Sequence, residues 1–230
     1  MLLIDIGNTR AKACMYTEGR LCLCDDIAEA IDGAEEIAVC SVGPVHPEIE
    51  ERLRGRRVLR LTTACPEARR FVPVIPEGYG VDRLAADIGA AGVAGEGFCG
   101  KVLVVDVGTC ITYDLLGVEN GRAEILGGTI SPGIRLRLEA MHCHTEALPL
   151  LCAEGPAPVV GHDTETCMRG GAVNGARWEI EGYIRTVRER FPDVRVFMTG
   201  GDVPVLPDDM AAITTVDPLL LFRGMGRIFG

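Results

Sequence analysis

Apolar residues along the chain fall into short unbroken runs separated by stretches with helical spacing. Leu2-Leu3-Ile4 and the run from Lys101 to Val105 are continuous, as expected of strands covered on both faces. Ala38-Val39-Cys40 and Val194-Arg195-Val196-Phe197-Met198 read as further short strands. Ala176, Ile180, Ile184, Val187 and Phe191 recur at steps of four and three, which predicts a long amphipathic helix late in the chain. A second helix is predicted from about Asp82 through an Ala/Gly-rich stretch to about Gly95, and a short charged one over 48–57. Residues 73–80 read as a connecting loop. Strands alternating with helices, with no low-complexity tail or long linker, predict an α/β fold.

One piece of this pattern occurs twice. Leu3-Ile4-Asp5-Ile6-Gly7-Asn8-Thr9 returns as Val104-Val105-Asp106-Val107-Gly108-Thr109, with the two aspartates 101 residues apart. Each copy is a buried strand, an Asp, an apolar residue, a glycine turn and a second strand-like run, over 11–16 and 110–116 respectively. The repeated hairpin predicts two similar halves, residues 1–97 and 98–230.

Composition sharpens this picture. A chain of 230 residues, 47% hydrophobic and 24% charged, has enough apolar mass for a sizeable core. With 23 basic and 33 acidic residues the formal charge is −10, which disfavours nucleic acid and anionic lipid as partners. Only Lys12 and Lys101 are lysines, so arginine carries nearly all the positive charge. The ten cysteines are scattered singly and never as Cys-x-x-Cys, which fits free thiols in a reducing cytoplasm better than disulfides or zinc. His142-Cys143-His144 is the tightest group of potential ligands, yet side chains two apart on a helix diverge. Three apolar residues after Met1 are too few for a signal peptide, and no run approaches the ~18 residues of a membrane span.

The hairpins carry the chemistry. An Asp at the end of a buried strand, followed by a glycine turn, places a carboxylate where the turn amides and a Thr hydroxyl reach phosphate oxygens. The carboxylate holds a cation directly or through water, with Asp5 the candidate for Mg²⁺ through water. A single Asp-x-Gly is equally an ordinary turn; two in matching halves suit a nucleotide gripped from both sides. Met198-Thr199-Gly200-Gly201-Asp202 is a third element, a strand running into a double glycine that permits close approach to a base or ribose. Neither Gly-x-x-x-x-Gly-Lys-Ser/Thr nor Gly-x-Gly-x-x-Gly is present where it is needed, which excludes a P-loop and disfavours a Rossmann site.

Gly78-Tyr79-Gly80-Val81-Asp82-Arg83, Gly127-Gly128-Thr129-Ile130-Ser131-Pro132-Gly133 with Arg135 and Arg137 beyond it, and Gly161-His162-Asp163-Thr164 complete the set. In this order, from Asp5 to Gly201, they resemble the type III pantothenate kinases of the acetate and sugar kinase/Hsp70/actin-like superfamily. The resemblance implies an α/β fold of two similar actin-like (ribonuclease H-like) halves, each a central mixed sheet flanked by helices, with a cleft between them. It implies ATP-dependent phosphorylation of pantothenate to 4′-phosphopantothenate, the first step of coenzyme A biosynthesis, by a cytoplasmic homodimer.

By the same resemblance ATP binds at Asp5, Ile6, Gly7, Asn8, Thr9, Arg10, Ala11 and Lys12, with Thr109 contacting it. Tyr79, Gly80, Val81, Asp82, Arg83 and Thr164 bind substrate, Asp82 acts as the general base, and Asp106 binds a monovalent cation, K⁺ or NH₄⁺. Asp82 also suits a helix N-cap, a role compatible with the catalytic one. The chain departs from the family in having Cys110 where a small residue such as alanine is usual, and its length implies trimmed loops after Leu61 or around Glu154. Two alternatives belong to other classes: a regulatory accessory protein of the same fold acting through protein partners, and a kinase or ATPase with a different acceptor. Retention of Asp82-Arg83 beside both hairpins favours the enzyme.

Overall fold

The computed structural model describes all 230 residues, the side chain of Asp208 excepted. It is an α/β structure with two five-stranded sheets. The first contains β1 (Leu2–Ile6), β2 (Ala11–Thr17), β3 (Arg20–Cys24), β4 (Ile37–Ser41) and β5 (Val58–Arg60), in the order β3-β2-β1-β4-β5. Strand β1 pairs antiparallel with β2 and parallel with β4, so the sheet is mixed. The second contains β6 (Cys99–Val107), β7 (Cys110–Glu119), β8 (Arg122–Pro132), β9 (Arg195–Thr199) and β10 (Thr215–Val216), in the order β10-β9-β6-β7-β8. Counted from β1 and from β6, the two orders are the same. The duplication seen in the hairpins extends to the strand order of both sheets.

The helices are α1 (Ile27–Gly33), α2 (Pro47–Leu53), α3 (Pro66–Arg69), α4 (Val81–Val93), α5 (Ile134–Cys143), α6 (Thr164–Arg190) and α7 (Leu220–Phe229). The predicted Ala/Gly-rich helix is α4, and the long periodic helix is α6, which starts at a capping box between Asp163 and Thr166. One face of the first sheet presents Leu2, Ile4, Ile6, Ala13, Ile37 and Val39 to Ile31 of α1 and Leu53 of α2. Strand alternation sends Leu3, Cys14, Ala38 and Cys40, all buried, to the opposite face, against which α4 and α7 pack.

The chain forms two compact units, one of residues 1–102, 116–127 and 219–230, the other of 103–115 and 128–218. In the first unit α7 lies on α4 at very short range. A β-carbon at Gly224 would sit 1.7 Å from the Ala85 carbonyl oxygen, and one at Gly89 would sit 2.1 Å from that of Leu220. The second unit has its own core, in which Leu103, Val105, Val107, Ile111 and Tyr113 meet Ile134 and Leu138 of α5 and Ala172, Ala176, Ile180 and Ile184 of α6. No helix is long and apolar enough to cross a membrane, among the described residues.

Candidate active site

The first hairpin turns through Gly7-Asn8-Thr9-Arg10, closed by the Gly7 N–H donating to the Arg10 carbonyl at 3.2 Å. Asn8, Thr9 and Arg10 are exposed. The loop after β4 supports this turn: Val42 N–H donates to Ile6 O at 3.2 Å, and the β-carbon position of Gly43 lies 3.4 Å from Asn8 Oδ1. Register places Asp5 between Lys12 on β2 and Cys40 on β4, all three on the face toward α4.

Burial there pushes the Asp5 carboxyl up to about 6; the charge of Asp82 acts in the same direction, and Lys12 and Arg10 oppose it. The same burial, with Asp5 and Asp82 adding, drives the Cys40 thiol well above its ordinary value. Asp5, Lys12, Asp82 and Cys40 therefore share one electrostatic environment within the first unit. Two carboxylates that act on the same partly dry site, one raising the other, are a charge that a divalent cation would relieve.

Asp82 stands in the first turn of α4, its Oδ1 accepting from the Arg83 N–H at 2.8 Å. A β-carbon at Gly80 would come within 2.6 Å of that oxygen, so any other residue there would displace the carboxylate. The helix N-terminus favours the negative charge placed on it. Arg83 lies over the ring of Tyr79, with its Cζ 4.4 Å from the centroid, and the Tyr79 hydroxyl donates to Asp87 Oδ2 at 2.6 Å. Tyr79, Gly80, Val81, Asp82 and Arg83 are all half-buried.

The second hairpin is tighter. Only Gly108 and Thr109 separate β6 from β7, and the Gly108 N–H donates to the Cys110 carbonyl at 3.0 Å. Two glycines grip it. At Gly133 a β-carbon would meet Gly108 O at 2.1 Å, and the Gly133 N–H donates to Thr109 O at 2.9 Å. At Gly200, in the left-handed region with φ 110°, a β-carbon would meet Val107 O at 2.3 Å. Gly200, the first of the double glycine, therefore packs closely on the chain's own strand. Asp106, at the end of β6, is half-buried, while Thr109 is exposed.

Sequence reasoning quoted Ser131, Arg135, Arg137 and Asp202 within its motifs without giving them a role in holding this region, and it passed over Tyr113 and Glu179. Buried Asp202 donates its N–H to Val107 O at 2.9 Å and accepts from Arg135 Nε at 2.9 Å, and Arg135 also bonds Glu154. Arg137 bonds Glu179, which in turn accepts from Tyr113 and Ser131. Both arginines of α5 are thus engaged in ion pairs. The common signal of the two arginines in the sequence is a cation two and four residues past Gly133 at a helix start.

Thr164 opens α6, exposed, in the second unit. The structure brings Asp5, Lys12 and Asp82 together in the first unit, and Asp106 and Thr109 at one turn of the second. Among the described residues no group of three or more His, Cys, Asp or Glu side chains is arranged to hold a metal ion, His142-Cys143-His144 included. All ten cysteines are free.

A family model of type III pantothenate kinase matches residues 1–186. The type III pantothenate kinase of Bacteroides fragilis (strain YCH46) is 36% identical over 242 residues, covering 99% of this chain and 96% of that protein. The one from Flavobacterium johnsoniae is 34% identical over 222 residues, covering 90% and 87%. Among solved structures, a Baf family protein from Campylobacter jejuni shares the fold, with a TM-score of 0.61 at 23% identity over 99% of this chain and 96% of that one. Matched along nearly its whole length by relatives of one kind, this chain belongs to the type III pantothenate kinase family.

Proposed function

We propose that the protein transfers the γ-phosphoryl group of ATP to the terminal hydroxyl of pantothenate, giving 4′-phosphopantothenate at the start of coenzyme A biosynthesis. The observation that carries this reading, beside family membership, is that Asp82 at the α4 N-terminus lies near enough to Asp5 of the hairpin for its charge to raise the Asp5 carboxyl.

Phosphoryl transfer depends on positioning and charge neutralisation more than on covalent chemistry. In this reading Asp82 orients the pantothenate hydroxyl and takes its proton late, as the hydroxyl becomes acidic. Arg83 pairs with the substrate carboxylate through its planar fork, with Tyr79 beside it and Thr164 completing the substrate contacts. The amides of residues 7–10, Lys12 and Thr109 receive the nucleotide phosphates. A divalent cation accompanying ATP neutralises phosphate charge. Asp5 would hold it through water, and Asp106 would hold K⁺ or NH₄⁺. These local groups reconcile an anionic ligand pair with a chain of formal charge −10.

The ten free thiols support a reducing, cytoplasmic setting. A homodimer is supported by α6, where Gly171, Gly175, Trp178 and Gly182 follow one another at steps of four, three and four on an accessible stripe. Trp178, the one tryptophan, is 51% exposed there, and nothing lies within 4 Å of a β-carbon placed at Gly171. Sedimentation should give twice the chain mass, and burial of Trp178 should blue-shift its fluorescence with rising concentration.

Purified protein with ATP, Mg²⁺, K⁺ and pantothenate should release ADP only when pantothenate is present; no ADP from folded protein overturns the reading. Asp82→Asn should bind ATP normally and lose about 10²–10⁴-fold in transfer. An Asp82→Asn enzyme of full activity would remove Asp82 from the role of base.

A further inference from the structure

Helix α4 carries a carboxylate that packing alone does not explain. Asp87 is fully buried, on a helix whose neighbouring positions Leu84, Ala85, Ala86, Ile88, Gly89 and Ala90 are buried, small or apolar. Withdrawing a carboxylate from water costs several kcal/mol unless good hydrogen bonds replace its hydration. An alanine would serve helix propensity and packing better at this position. Asp87 Oδ2 accepts from the Tyr79 hydroxyl at 2.6 Å, the length of a charge-assisted O–H···O bond.

Tyr79 comes from the loop before α4, where Gly78 has φ 72° and the Tyr79 N–H donates to Pro76 O at 3.2 Å. A loop aromatic anchored only at its backbone sweeps through several rotamers. Here the side chain is fixed at its far end, by a helix position two turns into α4. The fixed ring in turn supports the Arg83 guanidinium, 4.4 Å above its centroid. Asp87 is four residues after Arg83, so acceptor and cation lie on one helix face, with Tyr79 spanning the space above them.

We propose that Asp87 is a positioning residue for substrate recognition. It holds the Tyr79 phenol, and the held ring fixes the direction in which Arg83 presents its guanidinium to the substrate's carboxylate. The proposal rests on the reading of Tyr79 to Arg83 as the pantothenate-binding segment. It adds that affinity for the acid is set in part from inside α4, by a group that never touches the substrate.

Kinetics of Asp87→Ala, Asp87→Asn, Tyr79→Phe and the Asp87→Ala/Tyr79→Phe double variant test it. Loss of one such hydrogen bond should raise the KM for pantothenate about tenfold in Asp87→Ala, with kcat and the KM for ATP nearly unmoved. Asp87→Asn keeps an acceptor and should recover most of the loss. Tyr79→Phe should match Asp87→Ala, and the double variant should be no worse than either single one. Further loss in the double variant, a fall in kcat with KM unchanged, or an Asn variant as impaired as the Ala variant would each overturn the proposal. If Asp87→Ala does not fold, the Asn and Phe variants carry the same comparison.

A second readout needs no substrate. The NMR signal of Arg83 Nε–H in the free protein should carry a ring-current shift that disappears in Asp87→Ala and persists in Asp87→Asn. An unchanged shift in Asp87→Ala refutes the tether even if pantothenate proves not to be the acceptor, whereas a wild-type enzyme inactive on pantothenate refutes only the functional reading beneath it.

Discussion

Asp5→Asn separates what the first hairpin costs the fold from what it gives the chemistry. The wild-type carboxyl is raised from 3.8 to about 6, chiefly by burial and then by Asp82. The folded protein therefore holds the Asp5 proton more tightly than the unfolded chain does. The associated stability is fully present below pH 4, declines as pH rises through 6, and is absent at neutrality. There the buried charge costs about 3 kcal/mol relative to a neutral group of the same shape. Asparagine removes the charge and keeps the shape. Urea unfolding of the two proteins from pH 3.5 to 8 should show Asp5→Asn more stable by about 2–3 kcal/mol at pH 7, a Tm rise of roughly 4–10 °C in a chain this size, with the difference closing toward pH 4. The same variant should lose ATP turnover. An Asp5→Asn protein no more stable than wild type at pH 7, or a gap that persists unchanged at pH 4, would refute the account of Asp5 as a charge held against burial and a neighbouring carboxylate.

Gly224→Ala should destabilise by about 3 kcal/mol or more, because its β-carbon would sit 1.7 Å from the Ala85 carbonyl oxygen, backbone against backbone; a Tm within a degree of wild type would rule out the crossing as drawn. Thiol titration under native conditions should show the exposed Cys22, Cys99, Cys143, Cys152 and Cys167 reacting first. Cys40, buried beside Asp5 and Asp82, should react only on unfolding, and its early modification would contradict its placement.

The hairpins were legible because strand alternation and a glycine turn leave a linear trace, and the trace repeats. Its two copies nevertheless close differently, with four residues between paired strands at Gly7 to Arg10 and two at Gly108 and Thr109. No periodicity encodes that difference, because turn length is fixed by what packs beneath. Under the second turn lie Gly133 and Gly200, residues distant in sequence. Helix α7 was not foreseen either. Its glycines at 224 and 226 resemble punctuation until α4 and Tyr16 are brought against them. Asp82 stood out in the sequence because it belongs to a motif. Asp87 was passed over because a single acid in an alanine-rich helix has no local pattern, and its meaning comes from a loop tyrosine eight residues earlier.

The fit of α7 onto α4 also bears on the order of events during synthesis. The helix that carries Asp82 leaves the ribosome well before the segment at 220–229 that covers it. Until that segment arrives, Ala85, Gly89 and the part of the first sheet that α7 packs against stay uncovered, however early the first five strands pair. The first unit is thus the earliest to begin and the last to finish, and a nascent or truncated chain exposes the surface beside α4.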